Sequence, residues 1–133
     1  MSTNRQGLLT DMKKCSCKGN NLDKLIQPTL LTMLAKVEEG MHGYRIMEEL
    51  GNKNLFSQKT PDSTGVYRTL RTLEERNLVI SKWDVSGTGP AKKIYSITNV
   101  GRECLEQWIY TLQQYKETID IILKDAKNVC NKE

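Results

Sequence analysis

A long row of apolar side chains in the last third of the chain constrains the fold more than any other feature. Its members alternate at intervals of three and four residues: Leu105, Trp108, Leu112, Tyr115, Ile119, Ile122, Ala126 and Val129. This is the a/d pattern of a helix that packs along its whole length, and it continues for more than three heptads. Such a helix is ~45 Å long at ~1.5 Å per residue, too long for the rest of so small a chain to cover. We therefore predict that a second copy covers it in a homodimer; a row packed wholly within its own subunit is the open alternative.

Upstream of this row, the period of the apolar residues changes from helical to strand-like. Residues 23–39 and 41–50 have helical spacing and are each followed by a glycine, and a third helical segment at 63–79 can be capped by Asp62 or Ser63. The β-rich runs "LVISKWDV" and "KKIYSIT" flank the turn residues "SGTGPA", which predicts a hairpin. The order predicts a mainly α fold with a two-stranded β wing, that is, a winged helix-turn-helix plus a long C-terminal dimerisation helix.

Composition and charge divide the chain into three parts. We expect a polar, mobile arm at residues 1–21, a winged helix domain at 22–97 and the dimerisation helix at 98–133. The net charge of +4 is unevenly distributed. Residues 41–97 hold nine Lys and Arg against six Asp and Glu, or +3, whereas residues 98–133 hold five against six, or −1. A modestly basic middle suits an anionic partner.

Several classes of protein are disfavoured by the same sequence. No run of about 18 apolar residues exists, so no membrane span is expected, and the N-terminus lacks an apolar signal core. We therefore expect a cytoplasmic protein whose cysteines are free thiols. The single histidine, His42, and the lack of a catalytic Ser/His/Asp set, a phosphate-cradling glycine loop or paired carboxylates make an enzyme improbable.

The third helical segment, "STGVYRTLRTLEERNLV", has an unusual exposed side. At 100° per residue, Val66 and Leu73 fall near Leu70 on the buried side, and Arg68 lies nearly opposite. The exposed side therefore begins with Thr, Gly and Arg rather than the Lys and Glu of a solvated helix. Small residues at a helix start allow close approach to phosphates, and Arg pairs with guanine edges or phosphate.

In a winged helix-turn-helix the third helix lies in the DNA major groove, and the wing contacts the backbone or minor groove. Here basic residues flank the wing tip. The sequence therefore predicts binding to double-stranded DNA, and the predicted contact residues are Ser63, Thr64, Gly65, Tyr67, Arg68, Arg71, Lys92 and Lys93.

The segments "MHGYRIMEEL", "DSTGVYRTLRTLEERNLV" and "SGTGPAKKIYSITNVGRECL" together resemble the successive signatures of PadR-type transcriptional regulators. The resemblance covers residues 22–130. It implies a dimeric winged-helix regulator, usually a repressor, that dimerises through its C-terminal helix and binds an inverted repeat. With a single C-terminal helix, the chain resembles the short-tailed subgroup.

The resemblance also implies roles for individual residues. Tyr67 matches the recognition-helix tyrosine that lies against the DNA backbone, and Thr64 and Arg68 match positions that reach the groove. Lys92 and Lys93 match the basic positions of the wing. Lys92 stands where Arg is common, and a single ammonium cannot make the bidentate contact of a guanidinium.

The N-terminal arm contains Cys15 and Cys17 in the segment "CSCKGNNLDKLIQPTLL", which resembles a Cys-x-Cys leader found in one subgroup of the family. Two thiolates at this spacing can share one soft ion such as Zn²⁺, although a structural zinc needs four ligands. Two arms of a dimer could supply four sulfurs. The open alternative is that the arm has no metal or redox role.

Two further questions stay open at this level. Many relatives bind small aromatic or cationic effectors between the dimer halves, where Trp108 and Tyr115 could line a pocket; the simpler interpretation is that both are core residues. The runner-up function is a winged-helix module that mediates protein contacts without specific DNA binding.

Overall fold

The computed structural model describes residues 23–53, 55 and 62–131. The predicted N-terminal arm, with Cys15 and Cys17, lies outside these residues. The described elements are a 3-10 turn at Asp23–Leu25, helices α1 (Ile26–Ala35), α2 (Gly43–Lys53), α3 (Ser63–Glu75) and α4 (Asn99–Cys130), and strands β1 (Met41–His42), β2 (Val79–Asp84) and β3 (Lys92–Ile97). The prediction of a mainly α fold with a small β wing and a long C-terminal helix is confirmed.

The first helix is shorter than its apolar spacing predicts. It begins at Ile26, so Pro28 falls in the first turn, where backbone N–H groups have no partner within the helix and proline costs no hydrogen bond. It ends at Ala35 rather than Glu39. The N–H groups of Lys36 and Val37 bond to carbonyls three residues back, which tightens the chain into a turn before Gly40.

The sheet has one more strand than predicted. Its order is β1-β3-β2 with antiparallel neighbours, and Met41 pairs with Tyr95 while His42 pairs with Ile94. The assignment of Met41 and His42 to the second helix was therefore wrong. Two residues are too few to show a period in the sequence. Gly40 allows the pairing because it has φ +94°, and a β carbon there would collide with β3.

One hydrophobic core joins the first three helices to the sheet. The buried side of α3 is the predicted one, with Val66, Leu70 and Leu73 almost fully buried. They pack with residues of α1, α2, β2 and β3: Leu30, Leu31, Met33, Leu34, Ile46, Leu50, Val79 and Tyr95. Burying a side chain of this size contributes about 1.5–3 kcal/mol, so the core holds α3 in a fixed position and leaves its other side free.

The start of α4 is fixed tightly to the winged part. The Thr98 hydroxyl accepts from the Gly101 N–H at 2.9 Å and donates to the Asn77 carbonyl at 2.7 Å. Gly101 is buried against the Leu78 carbonyl, where a β carbon would not fit. Leu105 and Trp108 then pack against the core. Within the described residues, no helix is long and apolar enough to cross a membrane.

Candidate nucleic-acid interface

An aspartate cap defines the start of α3. The Asp62 carboxylate accepts from the backbone N–H groups of Thr64 and Gly65, each at 3.3 Å. A β carbon on residue 65 would lie 3.2 Å from that carboxylate, so glycine leaves room for the cap. These amides are already engaged and a negative charge sits beside them. An approaching phosphate would therefore be contacted here by side chains rather than by the helix backbone.

Five of the predicted contact residues lie together on α3. Ser63, Thr64, Tyr67, Arg68 and Arg71 line one shallow depression of about 380 Å³. All five side chains are exposed, and none of them belongs to the hydrophobic core. The two guanidinium groups thus stand on a concave, solvent-facing side of a helix whose opposite side is fixed in the core. Gly65 is half-buried behind them.

The later part of α3 is tied to the sheet. The Glu74 carboxylate accepts a hydrogen bond of 2.6 Å from the Ser81 hydroxyl of β2. The Thr72 hydroxyl donates to the Arg68 carbonyl at 3.2 Å, the usual internal bond of a helical threonine. The acidic end of α3 therefore faces the base of the wing, and the Arg side chains come earlier along the helix.

Tyr67 links α3 to the wing. It also borders a second depression of about 220 Å³, together with residues of β1, α2 and β3: His42, Gly43, Tyr44, Lys92, Lys93 and Tyr95. A β carbon on Gly43 would lie 2.6 Å from the Tyr67 hydroxyl, so glycine allows the phenol ring to lie against the start of α2. The two depressions share Tyr67. We call the surface formed by the residues that line the two depressions the α3–wing surface.

Aromatic rings hold both wing lysines. The Lys92 Nζ atom lies 5.0 Å from the centre of the Tyr44 ring. The Lys93 Nζ atom lies 5.7 Å from the Trp83 ring and 5.9 Å from the Tyr95 ring. Each such contact is worth about 0.5–1 kcal/mol at an exposed site. The ammonium groups are thereby held at the α3–wing surface with no carboxylate within salt-bridge distance in the described part of the chain.

The single histidine connects the two outer strands. His42 Nε2 of β1 lies 3.0 Å from Asp84 Oδ2 of β2, and both side chains are 27% exposed. Hydrogen bonds from the Ser86 hydroxyl and backbone N–H, followed by the one from His42, lower the Asp84 pKa to about 2. Asp84 is therefore ionised at neutral pH and links β2 to β1 beside the turn of the wing.

Sequence reasoning missed Tyr44, Trp83 and Asp84 at this surface. The positions of Trp83 and Asp84 follow from the strand register, because Asp84 pairs with Lys92 and Trp83 with Lys93. Tyr44 lies at the start of α2, where its ring stacks on that of His42. The only local signal was the Asp-x-Ser turn at Asp84–Ser86, whose side-chain bonds are of the Asx type.

The predicted dimerisation row divides at Trp108. Leu105 and Trp108 pack against the core of their own subunit, which is enough to explain why they are apolar. The next four members, Leu112, Tyr115, Ile119 and Ile122, are exposed, with Ile119 at 60% and Ile122 at 61%. We call these four residues the outer row. Their contact with a second copy stays a prediction.

The described residues offer no test of the predicted metal site. Cys15 and Cys17 lie outside them, and no group of three or more His, Cys, Asp or Glu residues in the described part could hold a metal ion. Of the two described cysteines, Cys104 packs against the core and Cys130 is exposed at the end of α4.

The fold and this surface place the chain among the winged-helix regulators. The family model of the transcriptional regulator PadR-like family matches residues 30–107, which run from α1 to the start of α4. The chain belongs to this family of DNA-binding transcriptional regulators.

Individual proteins that are similar to this chain come from several microbes. A candidate transcriptional regulator from Thermoplasma acidophilum is 31% identical, with a TM-score of 0.67 over 77% of this chain and 94% of that one. A PadR-like regulator from Bacillus cereus shares the fold at 24% identity, with a TM-score of 0.61 over 77% and 94% of the two chains. An uncharacterised protein of Lysinibacillus sphaericus is 25% identical over 104 residues, 78% of this chain and 89% of that protein.

Proposed function

We propose that the protein is a homodimeric repressor that binds an inverted repeat in double-stranded DNA. Each subunit places α3 in the major groove of one half-site and its wing against the adjoining backbone. The two half-sites then lie about one helical turn, roughly 34 Å, apart. The outer row of α4 supplies the subunit contact that fixes this spacing.

One observation supports the proposal above all others. Five of the six residues predicted to touch DNA from α3 line a single depression, and the wing lysines border the depression next to it. Arg68 and Arg71 are exposed while Leu70 between them is buried, so the helix presents cations on the side that the core does not use. A solvated helix face would not need two arginines, a tyrosine and small polar residues in one concavity.

Specific contacts are assigned by chemistry. Arg68 and Arg71 read base edges or phosphate, Ser63 and Thr64 donate hydroxyls to phosphate, and Tyr67 lies against the backbone. Lys92 and Lys93 contact phosphates as point charges, so their contribution does not depend on the base sequence. Gly65 acts by leaving room for the Asp62 cap.

Selection from a randomised duplex library with the full-length chain tests the DNA-binding part. We expect enrichment of an inverted repeat, followed by retarded migration of that duplex relative to a scrambled duplex of the same composition. Enrichment of no sequence would favour the protein-interaction module instead. Sedimentation of the same sample decides whether a dimer binds.

Repression and effector response are tested separately. A reporter gene downstream of the selected repeat should fall in expression when the chain is produced. An effector bound between dimer halves would border Trp108 and Tyr115. Trp108 is part of the subunit core, whereas Tyr115 is about half exposed, so Tyr115 is the better place to look for ligand-induced changes.

A further inference from the structure

An exposed tryptophan stands on the wing beside the α3–wing surface. Trp83 leaves 62% of its surface in water, although it is one of only two tryptophans in the chain. Trp is usually well buried, and an exposed large aromatic side chain next to a functional surface marks an interaction site more often than a structural one. The fold does not require an indole at this position, because the sheet is closed below it by Val79 and Tyr95.

The strand register places Trp83 on the same face of the wing as the residues that pack on α3. Side chains on β2 alternate, so Trp83 shares its face with Ser81, which pairs with Tyr95 and bonds to Glu74 of α3. That face is therefore the one that packs on α3. Ile80, earlier on the same strand, lies on the opposite face and is exposed to a similar extent, 58%.

The positive charge beside the Trp83 indole indicates the kind of partner that this side chain contacts. Lys93 holds its ammonium group between the Trp83 and Tyr95 rings, and Tyr95 borders the same depression as Tyr67. The flat apolar indole of Trp83 thus lies beside the Lys93 ammonium group, on a surface that continues to α3. A DNA backbone has the complementary surface, because apolar sugar faces alternate with phosphates along it.

We propose that Trp83 is a DNA-contacting residue of the wing, with its indole against a deoxyribose of the backbone and Lys93 held beside it on the adjacent phosphate. This inference rests on the proposed function. The contact is to sugar and phosphate, so it strengthens binding to every duplex alike and does not select a sequence.

Equilibrium binding of full-length variants tests the contact. Trp83→Ala should weaken binding by about fivefold or more, the usual effect of truncating an important aromatic interface residue. The loss should be the same on the selected duplex and on its scrambled counterpart. Ile80→Ala is the matched control, since it removes an equally exposed apolar side chain from the other face, and it should bind as the wild type does.

Fluorescence supplies a readout that does not depend on truncation. Binding of the selected duplex should change the tryptophan emission of the wild type and lower its quenching by acrylamide. The same titration of Trp83→Phe, which keeps an aromatic ring, should show neither change. Thermal unfolding of each variant shows whether it folds. If Trp83→Ala does not fold, the fluorescence titrations of the wild type and of Trp83→Phe test the contact without it.

The outcomes separate this inference from the proposed function. If the wild type binds no duplex, the proposed function fails and the Trp83 contact fails with it. If the wild type binds but Trp83→Ala binds equally well and emission is unchanged, only the Trp83 contact is wrong. A loss confined to the selected duplex would overturn the backbone assignment.

Discussion

The α3–wing surface and the outer row of α4 are both exposed, but the free-energy cost of exposing them to water differs. The first presents Arg68, Arg71 and the wing lysines, which are well solvated in an isolated subunit. The second presents Leu112, Tyr115, Ile119 and Ile122 along one side of a helix, where exposure is unfavourable by about 25 cal/mol per Å² of apolar surface. Exposed charge needs no partner for stability, whereas a continuous apolar row does.

Mutations should therefore separate the two surfaces. A change in the outer row should affect assembly first and DNA binding through it. A change in the α3–wing surface should affect DNA binding and leave assembly alone. The packed start of α4, where Leu105 and Trp108 meet the core, belongs to neither surface and should respond as part of the fold.

The largest expected effect is that of Ile119→Asp. A charge in the middle of the outer row would have to be desolvated in a dimer, which is costly, yet at 60% exposure it does not disturb the isolated subunit. We expect a folded monomer, seen by sedimentation at micromolar concentration. Affinity for the selected duplex should fall by about 10²- to 10⁴-fold, because the second half-site is no longer held nearby.

Gln114→Asp is the control for that variant. It adds the same charge to an exposed position on the opposite side of α4 and should leave the dimer intact. A wild type that sediments as a monomer, or an Ile119→Asp variant that stays dimeric, would contradict the assignment of the outer row to the dimer interface.

Arg68→Ala should show the next largest effect. Loss of a guanidinium that reads a base costs about 1–3 kcal/mol of binding free energy and relaxes specificity at one position of the repeat. The dimer should be unaffected, since Arg68 is exposed in the α3 depression. Competition assays with single-base variants of the selected duplex measure both changes.

Arg76→Ala is the matched variant for this comparison. Arg76 is an exposed arginine just past the end of the same helix, outside the depression. If its removal weakened binding as much as that of Arg68, the assignment of the depression as the reading surface would be wrong.

A smaller and sequence-independent effect is expected for Lys92→Ala. Removing one phosphate contact should lower the slope of log affinity against log salt by about 0.9, equally for selected and scrambled duplexes. Lys36→Ala, at an exposed position just after α1, should leave the slope unchanged. An unchanged slope for Lys92→Ala would remove this lysine from the interface.

The smallest effect concerns Asp84, at the end of β2 beside the turn of the wing. The Asp84 pKa is about 2, mainly because Ser86 donates two hydrogen bonds to the ionised carboxylate and His42 one. A carboxyl whose pKa is lower in the folded state stabilises the fold fully above its unfolded pKa. That contribution is lost as the pH falls through the folded pKa, here between about pH 4 and pH 2.

Titration of the Asp84 carboxyl carbon by NMR measures this directly. We expect a midpoint near the lowered value in the wild type and a higher one in Ser86→Ala. The stability difference between wild type and Asp84→Asn should shrink over the same acid range, and DNA binding at neutral pH should change little. A wild-type midpoint at the ordinary aspartate pKa would contradict the hydrogen-bond geometry around Asp84.

Much of this molecule follows from the sequence because its signals are local. The helical period places Val66, Leu70 and Leu73 on one side of α3, and that side is buried. An aspartate cap, a threonine cap and a turn-rich tip mark the limits of α3, α4 and the hairpin, since each acts over three or four residues. The exposed α3 residues predicted from this pattern do meet in one depression.

Only the tertiary structure decided the rest, because pairings across distant segments leave no period in the chain. Strand β1 has two residues and exists because Gly40 lets it reach β3. The divided role of the α4 row depends on how far the core extends, and a regular a/d pattern looks the same on both sides of Trp108. The strand register likewise brought Trp83 beside Lys93 and His42 beside Asp84, residues that spacing alone could not join.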